Sequence, residues 1–315
     1  MNKVRIKLLS ELLADSRRPI SNLAKIPYLT RDIVTYQMKQ LEKEGIIKGY
    51  TTQIQQHFFC QGVAQVQCKL TVVTKETLDS TITYLQKHPK VNWIGTVCGN
   101  ADIIFTFLYN SVVDMQFTIN TICRKIQVKE HIISLYTEEL KFDRGGVLTQ
   151  KAQTKKQDLP KFVKKEIALD ASDKKILNEL AKNARMTNRT LAKITGLSED
   201  AIRYRIKNLE KKGVILGYTT RIDTNKLGLE GYIVYLQTNT DKKMMQEFVM
   251  QEPNIIYAVE MAGTHNYLFS LLAKDRTHFT EMLQTIRNTF RDSVQHYDVM
   301  LLLDEHKEIY VPQLE

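Results

Sequence analysis

The sequence predicts an α+β protein built twice over, each half a small helical unit followed by a ferredoxin-like βαββαβ unit. Two observations predict it: an internal repeat in the helical units, and a recurring order of periodicities behind each copy. A third, the sorting of charge along the chain, marks the helical units as the surfaces that meet a polyanion.

The repeat is direct. LAKI stands at 23–26 and again at 191–194, a shift of 168 residues. The same shift lays Leu41-Glu42-Lys43 on Leu209-Glu210-Lys211 and Gly49-Tyr50-Thr51-Thr52 on Gly217-Tyr218-Thr219-Thr220. Roughly 20 of 42 positions agree between 11–52 and 179–220 without a gap, so the chain is a duplication. Behind the first copy, β-branched alternation predicts strands at 62–74, 89–98, 102–109 and 126–140, with helices at 75–88 and 112–124. Behind the second, strands fall at 231–239, 255–261, 267–273 and 296–303, with helices at 242–251 and 278–290. Each unit then forms a four-stranded antiparallel sheet with helices on one face, and its bare apolar face calls for a second sheet. Packing of the two sheets within one chain, as a pseudo-dimer, is the expected arrangement, with further homo-oligomerisation open.

The domains divide at 1–56, 57–143, a basic linker at 144–165, 166–223, and 224–315 with a C-terminal tail. Their charges are near +5, 0, +6, +4 and −5, which together make the net +10. A polyanion partner would sort charge in this way. The linker reads either as solvated chain or as a strap along a phosphate backbone.

In the second helical unit Asp170 caps a first helix with Ile176, Leu177 and Leu180 inside. A short second helix runs over 188–194, Gly196 makes the turn, and Ser198 caps a third helix that Gly213 ends. Ile202, Ile206 and Leu209 share its buried face, which points Arg203, Tyr204, Lys207 and Asn208 outward. A short helix, a tight turn and a longer basic helix is the arrangement that lays the last helix in a DNA major groove, with a strand pair through 214–222 as the wing. In the first copy Thr30 is the cap, Val34, Met38 and Leu41 are inside, and Thr35, Tyr36, Lys39 and Gln40 are outside. Thr35 and Gln37 replace Arg203 and Arg205, and Pro27-Tyr28 replaces Thr195-Gly196, so the first reading helix is less basic and its turn differs.

Candidate base-edge contacts are Arg31, Thr35 and Tyr36 in copy one and Glu199, Arg203 and Tyr204 in copy two, with Ser198 at the helix start. Lys39, Arg205, Lys207 and Arg221 of the wing are candidate phosphate contacts. The alternative for any one of them is a solvated surface charge.

The four cysteines form no CxxC pair and are expected to be reduced core residues. The seven histidines show no HExxH motif and no cluster at ligand spacing, so no metal site is expected. No Ser-His-Asp elbow, P-loop or paired-carboxylate motif indicates an enzyme, and no cofactor is called for. No apolar run approaches the roughly 18 to 20 residues of a membrane span. The opening MNKVRIKLLSELLADSRR is interrupted by Glu11 and Asp15 and lacks a cleavage site, so a cytoplasmic protein is expected.

The stretch LDASDKKILNELAKNARMTNRTLAKITGLSEDAIRYRIKNLEKKGVILGY resembles the Lrp/AsnC, or feast/famine, transcription regulators. The resemblance lies in the opening LD-x-x-D, the LA-x-x-x-GLS turn, the R-I-x-x-LE-x-x-G-V-I helix end and the following G-Y. It implies a winged helix-turn-helix, a RAM/ACT-like sheet domain that dimerises, double-stranded DNA as partner, and a small effector, often an amino acid. In that family effectors bind near a G-x-x-D turn between the second and third strands. Gly99, Asn100 and Asp102 match that turn here, while Gly263, Thr264 and Asn266 lack its acid. Two other readings stand beside this one. Relatives of the same architecture resemble sirohaem decarboxylases, and His265 lies at the corresponding turn, although no arginine accompanies it between 255 and 274. The third reading is an adaptor whose winged helices bind protein.

Overall fold

A computed structural model describes residues 3–151 and 167–309. The first half runs α1 (Lys3–Ala14), α2 (Ile20–Leu23), α3 (Arg31–Lys43), β1 (Ile47–Ile54), β2 (Gly62–Leu70), α4 (Lys75–Lys87), β3 (Val91–Cys98), β4 (Ile103–Tyr109), α5 (Val112–Lys125) and β5 (Val128–Phe142). A single turn, α6 (Gly146–Thr149), follows. The second half repeats the order as α7 (Ala171–Lys182), α8 (Asn188–Thr195), α9 (Glu199–Lys211), β6 (Ile215–Ile222), β7 (Glu230–Thr238), α10 (Lys242–Gln251), β8 (Ile255–Ala262), β9 (Tyr267–Ala273), α11 (Arg276–Phe290) and β10 (Val294–Glu308).

Each βαββαβ unit forms a four-stranded antiparallel sheet, ordered β3-β4-β2-β5 and β8-β9-β7-β10. The two sheets do more than stack. The last strand of each βαββαβ unit pairs with the second strand of the other unit, β5 with β8 and β10 with β3, and an eight-stranded barrel closes. Closure removes the four edges that two separate sheets would leave. Val63, Val97, Ile104, Leu108, Tyr136, Ile233, Tyr235, Val259, Met261 and Leu268 fill the interior. The helices cover the outside, over Phe105, Phe107, Ile119 and Ile122 in one half and Phe248, Phe269, Met282 and Ile286 in the other.

Polar ties also cross between halves. Inside, the Tyr235 hydroxyl donates to Gln65 Oε1 at 2.8 Å, and Gln65 Nε2 donates to the Tyr136 hydroxyl oxygen at 2.8 Å. The wholly buried Lys141 of β5 donates to Val249 O (2.8 Å) and Glu252 O (2.6 Å) at the carboxyl end of α10, where a cation is favoured. Arg144 holds Glu308 at 2.7 Å and Glu305 at 3.3 Å, so the first residue of the expected linker is a buried bridge. Gly146–Thr149 packs on α1 and β8. The strap reading of the linker falls mainly on 152–165, outside the described residues.

The helical units share one core as well. The expected wing is corrected here. Residues 215–222 form one strand, not a hairpin, and its partner is β1 of the other half, with Thr51 opposite Thr219. Val214 lies before that strand and is buried. The expectation that the cysteines are core residues holds for Cys60 and Cys68; Cys98 is exposed and Cys123 half-buried, all four being free thiols. Among the described residues no helix is long and apolar enough to cross a membrane.

Residues 1–151 and 167–315 expressed together as two polypeptides are expected to co-purify as a one-to-one complex, because three strand pairings and two cores join them. Light scattering reads the result, and halves that elute as separate monomers would overturn the closed barrel.

Candidate nucleic-acid interface

The second unit is assembled as its sequence dictates. The Ser198 hydroxyl accepts from Ala201 N, Gly196 takes φ +77° after α8, and Gly213 takes φ +71° after α9. Ile202, Ile206 and Leu209 are buried, which leaves Arg203, Tyr204 and Lys207 exposed on the opposite side of α9. Tyr204 is 73% exposed. Arg203 lies 3.0 Å from Asp200 with both groups in solvent, a pair worth at most about 1 kcal/mol and easily exchanged for phosphate. Arg205 is placed differently. Its guanidinium bridges Asp170 (2.7 Å) and Asp173 (2.8 Å), tying α9 to the start of α7. The two carboxylates raise its already high pKa, so it serves first as a fastening of the domain.

In the first unit Thr30 caps α3, and Val34, Met38 and Leu41 point inward. Arg31, Tyr36 and Lys39 are exposed, while the Thr35 hydroxyl donates to Arg31 O at 2.8 Å. The altered turn has a visible cost. α2 is a single turn, and Tyr28, in place of Gly196, takes φ +71° at 86% exposure. A side chain in that region costs roughly 1–2 kcal/mol.

A pseudo-twofold ties the units together. The Thr219 and Thr220 hydroxyls donate to Leu13 O and Leu12 O at 2.8 Å, and those of Thr51 and Thr52 to Ala181 O (3.5 Å) and Leu180 O (2.8 Å). Arg17 donates to Ala184 O (2.8 Å) and Met186 O (3.1 Å) and lies over the Tyr218 ring. Arg185 reaches back to Ser16 O and lies over the Tyr50 ring. Each first helix therefore packs on the other copy's strand, and α3 and α9 belong to one body. Arg221 stands opposite Gly49 in the shared ribbon, half-buried, so the wing position assigned to it does not exist.

The expected effector turns act as local caps. Asp102 accepts from Leu70 N (2.9 Å) and Lys69 Nζ (3.0 Å), and Asn266 accepts from Thr238 N (3.0 Å) while donating to Thr238 O (2.7 Å). Asn100 donates across the halves to Asp298 Oδ1 at 3.1 Å. Gly99 takes φ +140°; Gly263 lies so close to β5 that a Cβ would come within 2.8 Å of Ser134 Oγ; Thr264 is exposed.

The sequence reading missed a cavity of about 90 Å³ inside the barrel, lined by Trp93, Tyr136, Glu139, Arg144, Tyr257 and Glu305 among others. No local motif could reveal it, because its walls come from both halves. Burial pushes the Glu139 carboxyl up to about 7, and the Tyr257 hydroxyl donating at 3.1 Å offsets this only in part. An acid whose folded pKa lies above its unfolded value of 4.5 binds more protons when folded, so stability falls as pH rises from there to about 7. In Glu139→Gln this fall is expected to flatten, leaving the variant more stable than the parent at pH 8. Melting temperatures over that range check it, and parallel curves would refute it.

Comparison with known proteins agrees with this geometry. A family model described as winged helix-turn-helix DNA-binding matches residues 1–48 and 169–215. The transcriptional regulator AzlB of Bacillus subtilis is 32% identical over 133 residues, covering 41% of this chain and 80% of that protein. The HTH-type transcriptional regulator LrpA of Pyrococcus abyssi is 35% identical over 120 residues, covering 36% of this chain and 83% of its own length. Over the whole chain the fold resembles the crystal structure of the sirohaem decarboxylase NirDL, with TM-score 0.63, 12% identity, and coverage of 98% of this chain and 94% of that one. The repeat, the two capped reading helices and these relatives together place the chain in the Lrp/AsnC family, with the family's unit present twice in one polypeptide.

Proposed function

We propose that the chain is a transcription regulator that binds double-stranded DNA through α3 and α9. The observation that carries this is the pair of exposed faces, Arg31, Tyr36 and Lys39 on one and Arg203, Tyr204 and Lys207 on the other, fixed in one body by reciprocal contacts. Lysines on these faces meet phosphates and position the protein. Side chains near the helix starts meet base edges and specify sequence. Copy two reads more strongly, because its turn carries glycine where copy one holds Tyr28 in a costly conformation. A small effector such as an amino acid would act through the inner cavity or the capped turns, where the halves meet.

The NirDL likeness supports a second reading, a sirohaem-decarboxylase-like enzyme. One feature opposes it: Arg144, the arginine in the wall of the inner cavity, is held by Glu305 and Glu308. Adding sirohaem to the protein decides: a shifted Soret band with decarboxylated product would establish the enzyme and displace the regulator as the main activity.

For DNA, log affinity is expected to fall linearly with log salt, and Lys207→Glu to weaken binding to every sequence while lowering the slope by about one. Lys39→Glu is expected to act in the same direction and less strongly. Fluorescence anisotropy of a labelled duplex measures both, and affinity indifferent to salt and to Lys207 would point to a protein-binding adaptor instead.

A further inference from the structure

His265, His296 and Asp298 converge at one rim of the barrel although they come from separate elements, the β8–β9 turn and β10. His265 Nε2 lies 3.2 Å from Asp298 Oδ2, His296 Nε2 lies 3.5 Å from Asp298 Oδ1, and the donor atoms of all three fall within 4.8 Å of one another. Two donors each about 2.0–2.1 Å from a tetrahedral ion stand about 3.3 Å apart. The two carboxylate contacts fall near that spacing, each to a different oxygen of Asp298, and the full set would draw in from within 4.8 Å around an ion. We propose that these three residues bind a first-row divalent transition metal such as zinc or cobalt.

Four observations support it. His265 is 3% exposed, yet its Nε2 makes no hydrogen bond, although Asp298 Oδ2 lies 3.2 Å away. A buried ring nitrogen left in this state is unfavourable, and in the tautomer protonated at Nδ1 the Nε2 lone pair is open to a metal ion. The His296 ring stacks on that of His265 at 5.6 Å and 20° and is itself exposed, so it is free to rotate onto an ion. A bulge in β10 falls between Val294 and His296, immediately before the pair, and bulges re-aim side chains. Asn100 of the other half donates to Asp298 Oδ1 at 3.1 Å and orients the carboxylate, as partners behind metal ligands do.

The fold itself does not require this cluster. Strand register relates Asp298 and His296, opposite Tyr235 and Gln237, to Ile132 and Glu130, opposite Gln67 and Lys69. The matching turn places Ala101 where His265 stands. The first half thus lacks both imidazoles and the aspartate. Two imidazoles and a carboxylate suit zinc, cobalt, nickel or ferrous iron, and three protein ligands leave the remaining positions to water or a chelating small molecule. Because Asp298 is held by Asn100, occupancy would stiffen the contact between the two halves.

Chelator-treated full-length protein titrated with zinc by calorimetry, and with cobalt by visible absorption, tests the site. The expected result is one ion per chain, cobalt bands of a four- or five-coordinate site, and a melting temperature raised by zinc. His296→Ala leaves a solvent-exposed position and is expected to keep the metal-free melting temperature while weakening zinc binding at least about tenfold. Asp298→Asn is expected to weaken it likewise. Absence of stoichiometric uptake by the parent protein, or a His296→Ala isotherm that superimposes on the parent's, would overturn the site. Neither outcome depends on DNA binding.

Discussion

A four-stranded sheet covered by helices on one face needs a partner when its other face is apolar, as it is here. It has a bare apolar face and two edges of unpaired backbone groups, and both must be satisfied. Here each half satisfies the other: the bare faces pack together and the edges pair as β5 with β8 and β10 with β3. The barrel is the consequence, and the inner cavity and the polar ties between the halves depend on it. Because the partner is covalently attached, its effective concentration is set by the chain and not by the amount of protein. The two copies are thereby free to diverge.

Divergence is visible in three places. Tyr28 replaces the glycine of the helical turn, Thr35 and Gln37 replace arginines of the reading helix, and Ala101, Glu130 and Ile132 stand where the second half has two histidines and an aspartate. In a symmetric dimer each of these would appear on both sides. In this chain the two halves can carry different side chains at corresponding positions.

The strand after each third helix shows how the helical units share this economy. As a hairpin wing it would pair with a second strand of its own copy; instead β1 and β6, one from each half, pair with each other. Pairing with its counterpart satisfies its backbone groups and brings each first helix onto the other copy's strand, where threonine hydroxyls and the guanidiniums of Arg17 and Arg185 take up helix-end and loop carbonyls. Arg205 and Arg221 illustrate the same point for single residues. Both are candidate phosphate contacts by sequence, and both are drawn into the body by neighbours distant along the chain.

The sequence alone determined the local features: the repeat, the caps at Thr30, Asp170 and Ser198, the glycine turns at 196 and 213, and the order of strands and helices within each half. All of these depend on neighbours a few residues apart, and periodicity and cap chemistry report such relations faithfully. Only the tertiary structure decided the pairing of β1 with β6, the closure of the barrel, the cavity around Glu139, the burial of Arg144, and the meeting of His265 with His296 and Asp298. These are contacts between segments far apart in the chain, and which strand edge meets which, in what register, is set by the energy of the whole assembly.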